Sequence, residues 1–150
     1  MSAYSTVVVG TDGSETSFVA VERAAAIAQD AGATLVLACA YEPAADKDTA
    51  RDRDILREEA YQVVGSAPAD DTVRTAQARA ARAAGSITIE TEVVQGKPAD
   101  VLTKLTAERN ADLLVVGNRG LNTLAGRILG SVPLDVVRHA GCDVLVVHTT

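Results

Sequence analysis

The chain has 150 residues, of which 47% are hydrophobic and 3% aromatic, and its formal net charge is −6. The acidic balance argues against nucleic-acid binding, which usually requires a surface rich in Lys and Arg. No apolar run approaches the roughly 20 residues of a membrane span, and the start of the chain lacks the features of a signal peptide, so we expect a cytoplasmic protein without a membrane partner.

Strand-like and helix-like segments alternate along the chain. Short apolar, β-branched runs predict strands over residues 4–9, 34–40, 87–94, 112–116 and 142–148. Helical periodicity, capping residues and glycine stops predict helices over residues 14–31, 72–84, 99–109 and 131–140. The alternation predicts one α/β domain over residues 1–150, with helices on both faces of a five-stranded parallel sheet.

The region over residues 41–71 is the least regular part of the chain. A mixed charge run over residues 46–54 indicates a solvated loop or the exposed start of a helix, and a docking face is the alternative. A short helix is predicted over residues 55–61, and the Gly and Pro of residues 65–68 predict a break before the next helix.

Glycines around the fourth strand form the most informative motif. Gly117 and Gly120 follow that strand, and Gly130 precedes Ser131 at the start of a helix. Glycine lets the backbone approach a ligand closely, and a helix N-terminus offers N–H groups to an anion. The spacing matches neither the Walker pattern nor the dinucleotide fingerprint. We interpret it as a phosphate-binding loop; the alternative is that these glycines only turn the chain.

The loop after the first strand carries a second motif, which begins with Gly10, Thr11 and Asp12. Ligands of parallel sheets bind at the carboxyl ends of strands, where the strand order reverses. With the order 3-2-1-4-5, this loop and the glycine loop would face one crevice. Asp12 is suited to accept ribose hydroxyls or to hold a divalent ion; the alternative is that it only caps the first helix.

The sequence offers no catalytic or metal-binding arrangement. Cys39 and Cys142 lie in apolar runs without metal-ligand spacing, which predicts buried, reduced thiols. His139 and His148 have no partner at catalytic spacing, so we expect structural roles for both. A phosphate loop without a general base favours binding over turnover.

Together, the two motifs resemble those of the universal stress protein family. The first strand, Val7-Val8-Val9, leads to Asp12, and the pattern G-x2-G-x9-G-[S/T] is met by Gly117, Gly120, Gly130 and Ser131. The similarity covers essentially the whole chain. It is greatest to the actinobacterial branch, whose members bind cyclic AMP as well as ATP.

The resemblance implies a Rossmann-like sheet of order 3-2-1-4-5, like that of the adenine nucleotide alpha hydrolases, and a homodimer formed through the last strand. It implies a sensor or buffer of cyclic AMP or ATP in stress or signalling, with Mg²⁺ accompanying ATP. A slow ATPase using the same site is the alternative. A receiver domain of a response regulator is excluded, because Gln95-Gly96 stands where its acceptor Asp belongs.

Residue by residue, the resemblance places Asp12 near the adenosine, the backbone of Ala40 near the adenine and the glycine loop near the ribose and phosphate. Arg119 departs from the cyclic-AMP-binding branch, where a small apolar residue is expected, so the choice between cyclic AMP and ATP stays open. The nucleotide-binding residues predicted from the two motifs and from the resemblance are Gly10, Thr11, Asp12, Ala40, Gly117, Asn118, Arg119, Gly120, Gly130, Ser131 and Val132.

Overall fold

The computed structural model describes residues 2–42, 66–118 and 131–149. Within them, five strands form one sheet: β1 (Thr6–Gly10), β2 (Thr34–Tyr41), β3 (Ile89–Gln95), β4 (Leu113–Gly117) and β5 (Asp143–Val147). All neighbouring strands are parallel, and their order is β3-β2-β1-β4-β5. The predicted fold class and strand order are therefore confirmed.

The described residues also form four helices: α1 (Glu15–Ala31), α2 (Ser66–Ala83), α3 (Pro98–Glu108) and α4 (Ser131–His139). None of these helices has the length and apolar content to cross a membrane. The sequence predicted that α2 starts at residue 72 and that residues 65–68 interrupt helical structure before it. The structure contradicts this, because α2 is already helical from Ser66. Pro68 lies in the first turn of α2, where a missing N–H costs no hydrogen bond within the helix. The predictions for residues 46–54 and 55–61 lie outside the described residues.

Both ends of α1 carry the caps that its sequence predicts. The Ser14 hydroxyl accepts a hydrogen bond from the Ser17 N–H at 3.1 Å. Gly32 follows the last turn with φ 67°, a left-handed conformation that glycine adopts without steric cost. Local sequence therefore fixes where α1 begins, and with it the length of the loop that joins it to β1.

The sheet separates two core layers. Val7 and Val9 of β1 pack against α1 and α2 on one face, and Val8 packs against α3 and α4 on the other. All three side chains are fully buried. Cover on both faces explains why the central strands are nearly continuous apolar runs. Burial of each such side chain contributes about 1.5–3 kcal/mol, which makes the central strands a firm base for the loops that leave them.

Gly10, at the end of β1, allows α3 to approach the sheet closely. A Cβ at this position would lie 2.8 Å from Cδ1 of Leu102 on α3, closer than carbon atoms approach without repulsion. Leu102 is buried and belongs to the α3 and α4 layer. The glycine therefore serves helix packing at the place where β1 opens into its loop.

Asp112, just before β4, holds the starts of β1 and β4 together. One carboxylate oxygen accepts hydrogen bonds from the Ser5 N–H at 2.7 Å, the Ser5 hydroxyl at 2.8 Å and the Thr6 N–H at 2.9 Å. The two backbone N–H groups, followed by the hydroxyl, lower the pKa of Asp112 from its ordinary value.

We expect Asp112→Asn to lower the free energy of unfolding at pH 7. A lowered folded-state pKa means that the stabilisation is fully present above the unfolded value of 3.8 and disappears as the pH falls through the folded value. The difference between wild type and variant in urea unfolding should therefore be large at pH 7 and shrink below pH 3.8. Asp135→Asn, at an exposed carboxylate of α4, is the control. A difference that does not change with pH would contradict this role.

The two cysteines lie in different environments, and both are free thiols. Cys39 of β2 is fully buried in the α1 and α2 layer. Desolvation, with smaller contributions from Asp12 and Asp70, raises the pKa of the Cys39 thiol to about 12. Cys142 is only partly buried, so the prediction of burial is confirmed for Cys39 and wrong in degree for Cys142, which precedes the edge strand β5.

Iodoacetamide at pH 8 should therefore modify Cys142 in the folded protein and leave Cys39 intact, because the thiolate is the reacting species. Mass spectrometry of the digested protein gives the extent of modification at each residue. In urea both residues should react. Equal rates at both cysteines in the folded protein would show that the Cys39 thiol is accessible.

Candidate functional site

A cleft that is open to solvent lies at the carboxyl ends of β1, β2 and β4. Clefts with apolar walls and a few polar groups are where proteins bind small molecules. The lining comes from three strands, the loop after β1, three helices and the segment after β5. It comprises Gly10, Thr11, Asp12, Ser14, Thr16, Ser17, Ala38, Ala40, Pro98, Leu102, Val116, Gly117, Val132 and Thr149.

Several of the predicted nucleotide-binding residues meet at this cleft. They are Gly10, Thr11, Asp12, Ala40, Gly117 and Val132. Asn118 stands next to the lining and contacts Thr149, which does line the cleft. Arg119, Gly120, Gly130 and the side chain of Ser131 lie outside the described residues. The loop after β1 and the end of β4 therefore share one crevice, as the strand order predicts.

Hydroxyl groups at the start of α1 form the polar side of the cleft. Thr11 is 7% exposed, and its Oγ1 lies 2.7 Å from Oγ of Ser17. Asp12 Oδ1 accepts hydrogen bonds from the Ser14 N–H at 3.0 Å and the Ser14 hydroxyl at 2.6 Å. Ser14, not Asp12, is the N-cap of α1, so the alternative that Asp12 only caps the helix is wrong. The helix start instead orients the Asp12 carboxylate at the cleft.

The turn between Asp12 and α1 requires a glycine. Gly13 has φ 88°, and a Cβ there would lie 2.9 Å from Oγ1 of Thr72 on α2. Both the left-handed conformation and the contact exclude a larger residue without strain. The turn therefore lies close to α2 as well as to the start of α1.

The end of β2 presents backbone groups to the cleft. The Ala38 C=O accepts a hydrogen bond from the Thr11 N–H at 2.9 Å, on the β1 side. The Tyr41 C=O accepts one from the Gly96 N–H at 2.9 Å, on the β3 side. Because successive residues of a strand direct their polar groups to opposite sides, the N–H and C=O of Ala40 point to the β1 side, where β1 has already ended. They offer an adjacent donor and acceptor to a ligand.

Apolar side chains form the opposite side of the cleft. Pro98 and Leu102 come from α3, Val116 from β4 and Val132 from the first turn of α4. An apolar wall that faces hydroxyls, a carboxylate and the backbone groups of Ala40 suits a flat, weakly polar ring with hydrogen-bonding substituents. Within the described residues, no group of three or more His, Cys, Asp or Glu side chains is placed to hold a metal ion.

Thr149, Pro98 and Leu102 are lining residues that the sequence analysis missed. Leu102 lies in the helix predicted over residues 99–109 and Pro98 directly precedes it, but the sequence pattern does not indicate which end of the sheet this helix covers. Thr149 follows β5, and only the pairing of Gly117 with Val147 brings it beside the end of β4. The order of strands predicted from the sequence contained this signal, because the segments after two neighbouring parallel strands leave the sheet side by side.

Comparisons with known proteins agree with this architecture. The model of the universal stress protein family matches residues 3–148. Over 150 residues, which cover 100% of both chains, the sequence is 53% identical to universal stress protein Rv1636 of Mycobacterium tuberculosis.

Solved structures of similar proteins include a universal stress protein in complex with cAMP, at 46% identity and a TM-score of 0.76, with 99% of this chain and 100% of that chain covered. A universal stress protein from Archaeoglobus fulgidus in complex with dAMP has 20% identity and a TM-score of 0.67, with 95% and 97% covered, and shares the fold. The family match over nearly the whole length and the identity to a full-length relative lead to one conclusion: this chain belongs to the universal stress protein family.

Proposed function

We propose that this universal stress protein binds an adenine nucleotide in the cleft at the ends of β1, β2 and β4, and acts as a cytoplasmic sensor or buffer of that nucleotide. One observation carries the proposal: Asp12 and Gly117, from the two predicted nucleotide motifs, line the same cleft as Ala40, the position that the family resemblance places near the adenine. The complex of a related protein with cAMP supports it.

The adenine ring is assigned to the end of β2. The N–H and C=O of Ala40 can pair with an acceptor and a donor on the edge of adenine, whose ring nitrogens accept and whose amino group donates. Guanine carries an oxygen where adenine carries the amino group and a ring N–H beside it, so its donor and acceptor are exchanged. A site that reads a base by buried hydrogen bonds discriminates strongly, because a mismatched base leaves polar groups unpaired.

The ribose and phosphate are assigned to the ends of β1 and β4. Asp12 lines this part of the cleft, and a carboxylate accepts hydrogen bonds from ribose hydroxyls. Val132, in the first turn of α4, lines it as well, so the N-terminus of α4 lies near the expected position of the phosphate. The positive end of the helix dipole favours an anion there. Gly120, Gly130 and Ser131 complete the predicted phosphate loop.

Both cyclic AMP and ATP are proposed ligands. Arg119 favours the more highly charged ATP, because each added phosphate gives a guanidinium a further anionic partner. Mg²⁺ would accompany ATP, with Asp12 as the carboxylate at the cleft. Slow hydrolysis of ATP is the alternative function, and release of inorganic phosphate during incubation with Mg²⁺ and ATP distinguishes it from binding alone.

Calorimetric titration of nucleotide-free protein tests the proposal. We expect binding of cyclic AMP and ATP, and an affinity for cyclic GMP at least about tenfold lower than for cyclic AMP because of the unpaired groups at Ala40. Ala40→Leu fills the cleft and should weaken cyclic AMP binding by more than about tenfold. Ala78→Leu, the same change at an exposed position of α2, should not.

Three results would contradict the proposal. They are absence of binding in the wild type, equal affinity for cyclic GMP and cyclic AMP, and full affinity in a well-folded Ala40→Leu variant.

We also propose that two copies of the chain pair through β5. This strand lies at one edge of the sheet, and its apolar residues would template aggregation if the edge stayed open. Leu134 and Val137 of the neighbouring helix α4 are 44% and 55% exposed, which extends the apolar surface beside the edge. A two-fold axis would pair both β5 edges at once and close the assembly.

Val146→Pro tests the dimer. The Asn118 N–H donates to the Val147 C=O at 2.8 Å, so the backbone groups of Val147 point toward β4. Because successive residues alternate in direction, the N–H of Val146 points to the outer edge of the sheet. Proline at 146 should remove a donor from the interface, leave the pairing with β4 intact and give a monomer in analytical ultracentrifugation. Val146→Ala keeps the N–H and should remain a dimer. A wild-type chain that sediments as a monomer at micromolar concentration would refute the proposal.

A further inference from the structure

The segment after β5 is held against the end of β4 by a side chain. In a regular parallel ladder, the backbone C=O of Asn118 would accept from the N–H of Thr149, because the Asn118 N–H already donates to Val147. The acceptor is instead the side-chain Oδ1 of Asn118, 2.8 Å from the Thr149 nitrogen. The amide side chain therefore extends the ladder by one rung beyond the point where the strand β4 ends.

The same oxygen also receives the hydroxyl of Thr149. Thr149 Oγ1 lies 3.0 Å from Asn118 Oδ1. The N–H of Thr149 must donate, which identifies its partner atom as the oxygen of the amide and not the nitrogen. That oxygen cannot donate, so the Thr149 hydroxyl gives its only proton to it.

Gly117 also contributes to the position of Thr149. A Cβ at residue 117 would lie 3.3 Å from Cγ2 of Thr149, which is tighter than an ordinary contact. The glycine thus makes room for the Thr149 methyl group at the end of β4. Two hydrogen bonds to Asn118, together with the space left by the absent side chain at Gly117, place Thr149, which lines the cleft.

A hydroxyl whose proton is already used acts toward a ligand only as an acceptor. Its matched partner in a nucleotide is a hydroxyl or amino donor, whereas phosphate oxygens are mismatched. The adenine amino group is assigned to the end of β2, and β2 is two strand spacings, about 10 Å, from β4. The ribose hydroxyls are then the donors within reach of the side of the cleft formed by β1 and β4.

We infer that Asn118 is a positioning residue of the nucleotide site. It holds Thr149 in the wall of the cleft and orients the Thr149 hydroxyl so that this hydroxyl accepts a hydrogen bond from a ribose hydroxyl. The inference rests on the proposed adenine-nucleotide function and adds to it a group that recognises the sugar. It assigns to Asn118 a role that acts through Thr149 and not through direct contact with the ligand.

The test compares the affinities for ATP, 2′-deoxy-ATP and 3′-deoxy-ATP by calorimetry. The ratio between the affinity for ATP and that for a deoxy form isolates the contribution of one hydroxyl, and phosphate charge cancels from it. The wild type should prefer ATP over one of the two deoxy forms by about tenfold, the contribution of one hydrogen bond.

Thr149→Val and Asn118→Ala should each reduce this preference several-fold, and the double variant should reduce it no further. Thr149→Ser keeps the hydroxyl and should keep the preference. Asn118→Asp retains an oxygen that accepts both hydrogen bonds, so it should restore the preference that Asn118→Ala loses. Thr88→Val, the same change at an exposed position away from the cleft, is the control.

Hydrogen exchange gives a readout without ligand. The backbone amide of Thr149 should exchange faster in Asn118→Ala and be protected in Asn118→Asp. Two results would overturn the inference while leaving nucleotide binding intact. One is an unchanged exchange rate of the Thr149 amide in Asn118→Ala. The other is a preference for ATP in Asn118→Ala or Thr149→Val that is as large as in the wild type. An equal loss of affinity for all three ligands would mean a purely structural role and would also overturn it. A wild type that binds none of them would remove the proposed function, and the inference with it.

Discussion

The reversal of strand order beside β1 is the constraint on which the site depends. From β1 the chain moves outward to β2 and β3 through α1 and α2 on one face, then returns to β4 and β5 with α3 and α4 on the other. Right-handed crossovers make this division of helices between the faces unavoidable. The helices α1 and α4, which follow β1 and β4 in the chain, consequently lie on opposite faces of the sheet, and a crevice is open between the carboxyl ends of these two strands.

The backbone groups of Ala40 and the side chain of Thr149 both line that crevice, and each does so because a neighbouring strand ends early. Since β1 ends at Gly10, the N–H and C=O of Ala40 on the longer strand β2 lose the neighbour with which they would otherwise pair. The pairing of β4 with β5 continues through the Asn118 side chain, which draws Thr149 to the wall of the cleft. Because neighbouring strands end at different positions, hydrogen-bonding groups at the ends of the strands face the cleft, where they can contact a ligand.

Small residues at the cleft have packing roles as well as any role toward a ligand. A Cβ at Gly10 would contact Leu102, one at Gly13 would contact Thr72, and one at Gly117 would contact Thr149. Glycine at these positions brings α3, α2 and the segment after β5 close to the ends of the strands. The glycine pattern that marks the site in the sequence therefore also assembles the walls of the site.

Local sequence by itself determined the elements of this protein: the alternation of strands and helices, the Ser14 and Gly32 caps of α1, and the glycine and Asp12 motifs at strand ends. These follow from interactions within a few residues, since periodicity, capping and turn conformations are short-range properties. The early start of α2 escaped prediction because Pro68 was taken as a break, although the first helical turn accepts proline. Only the tertiary structure decided which distant residues complete the cleft. Leu102 enters through helix packing at Gly10, and Thr149 through the register of β4 and β5. Such contacts join residues far apart in the chain, and no local pattern encodes them, because they depend on how whole elements pack against one another.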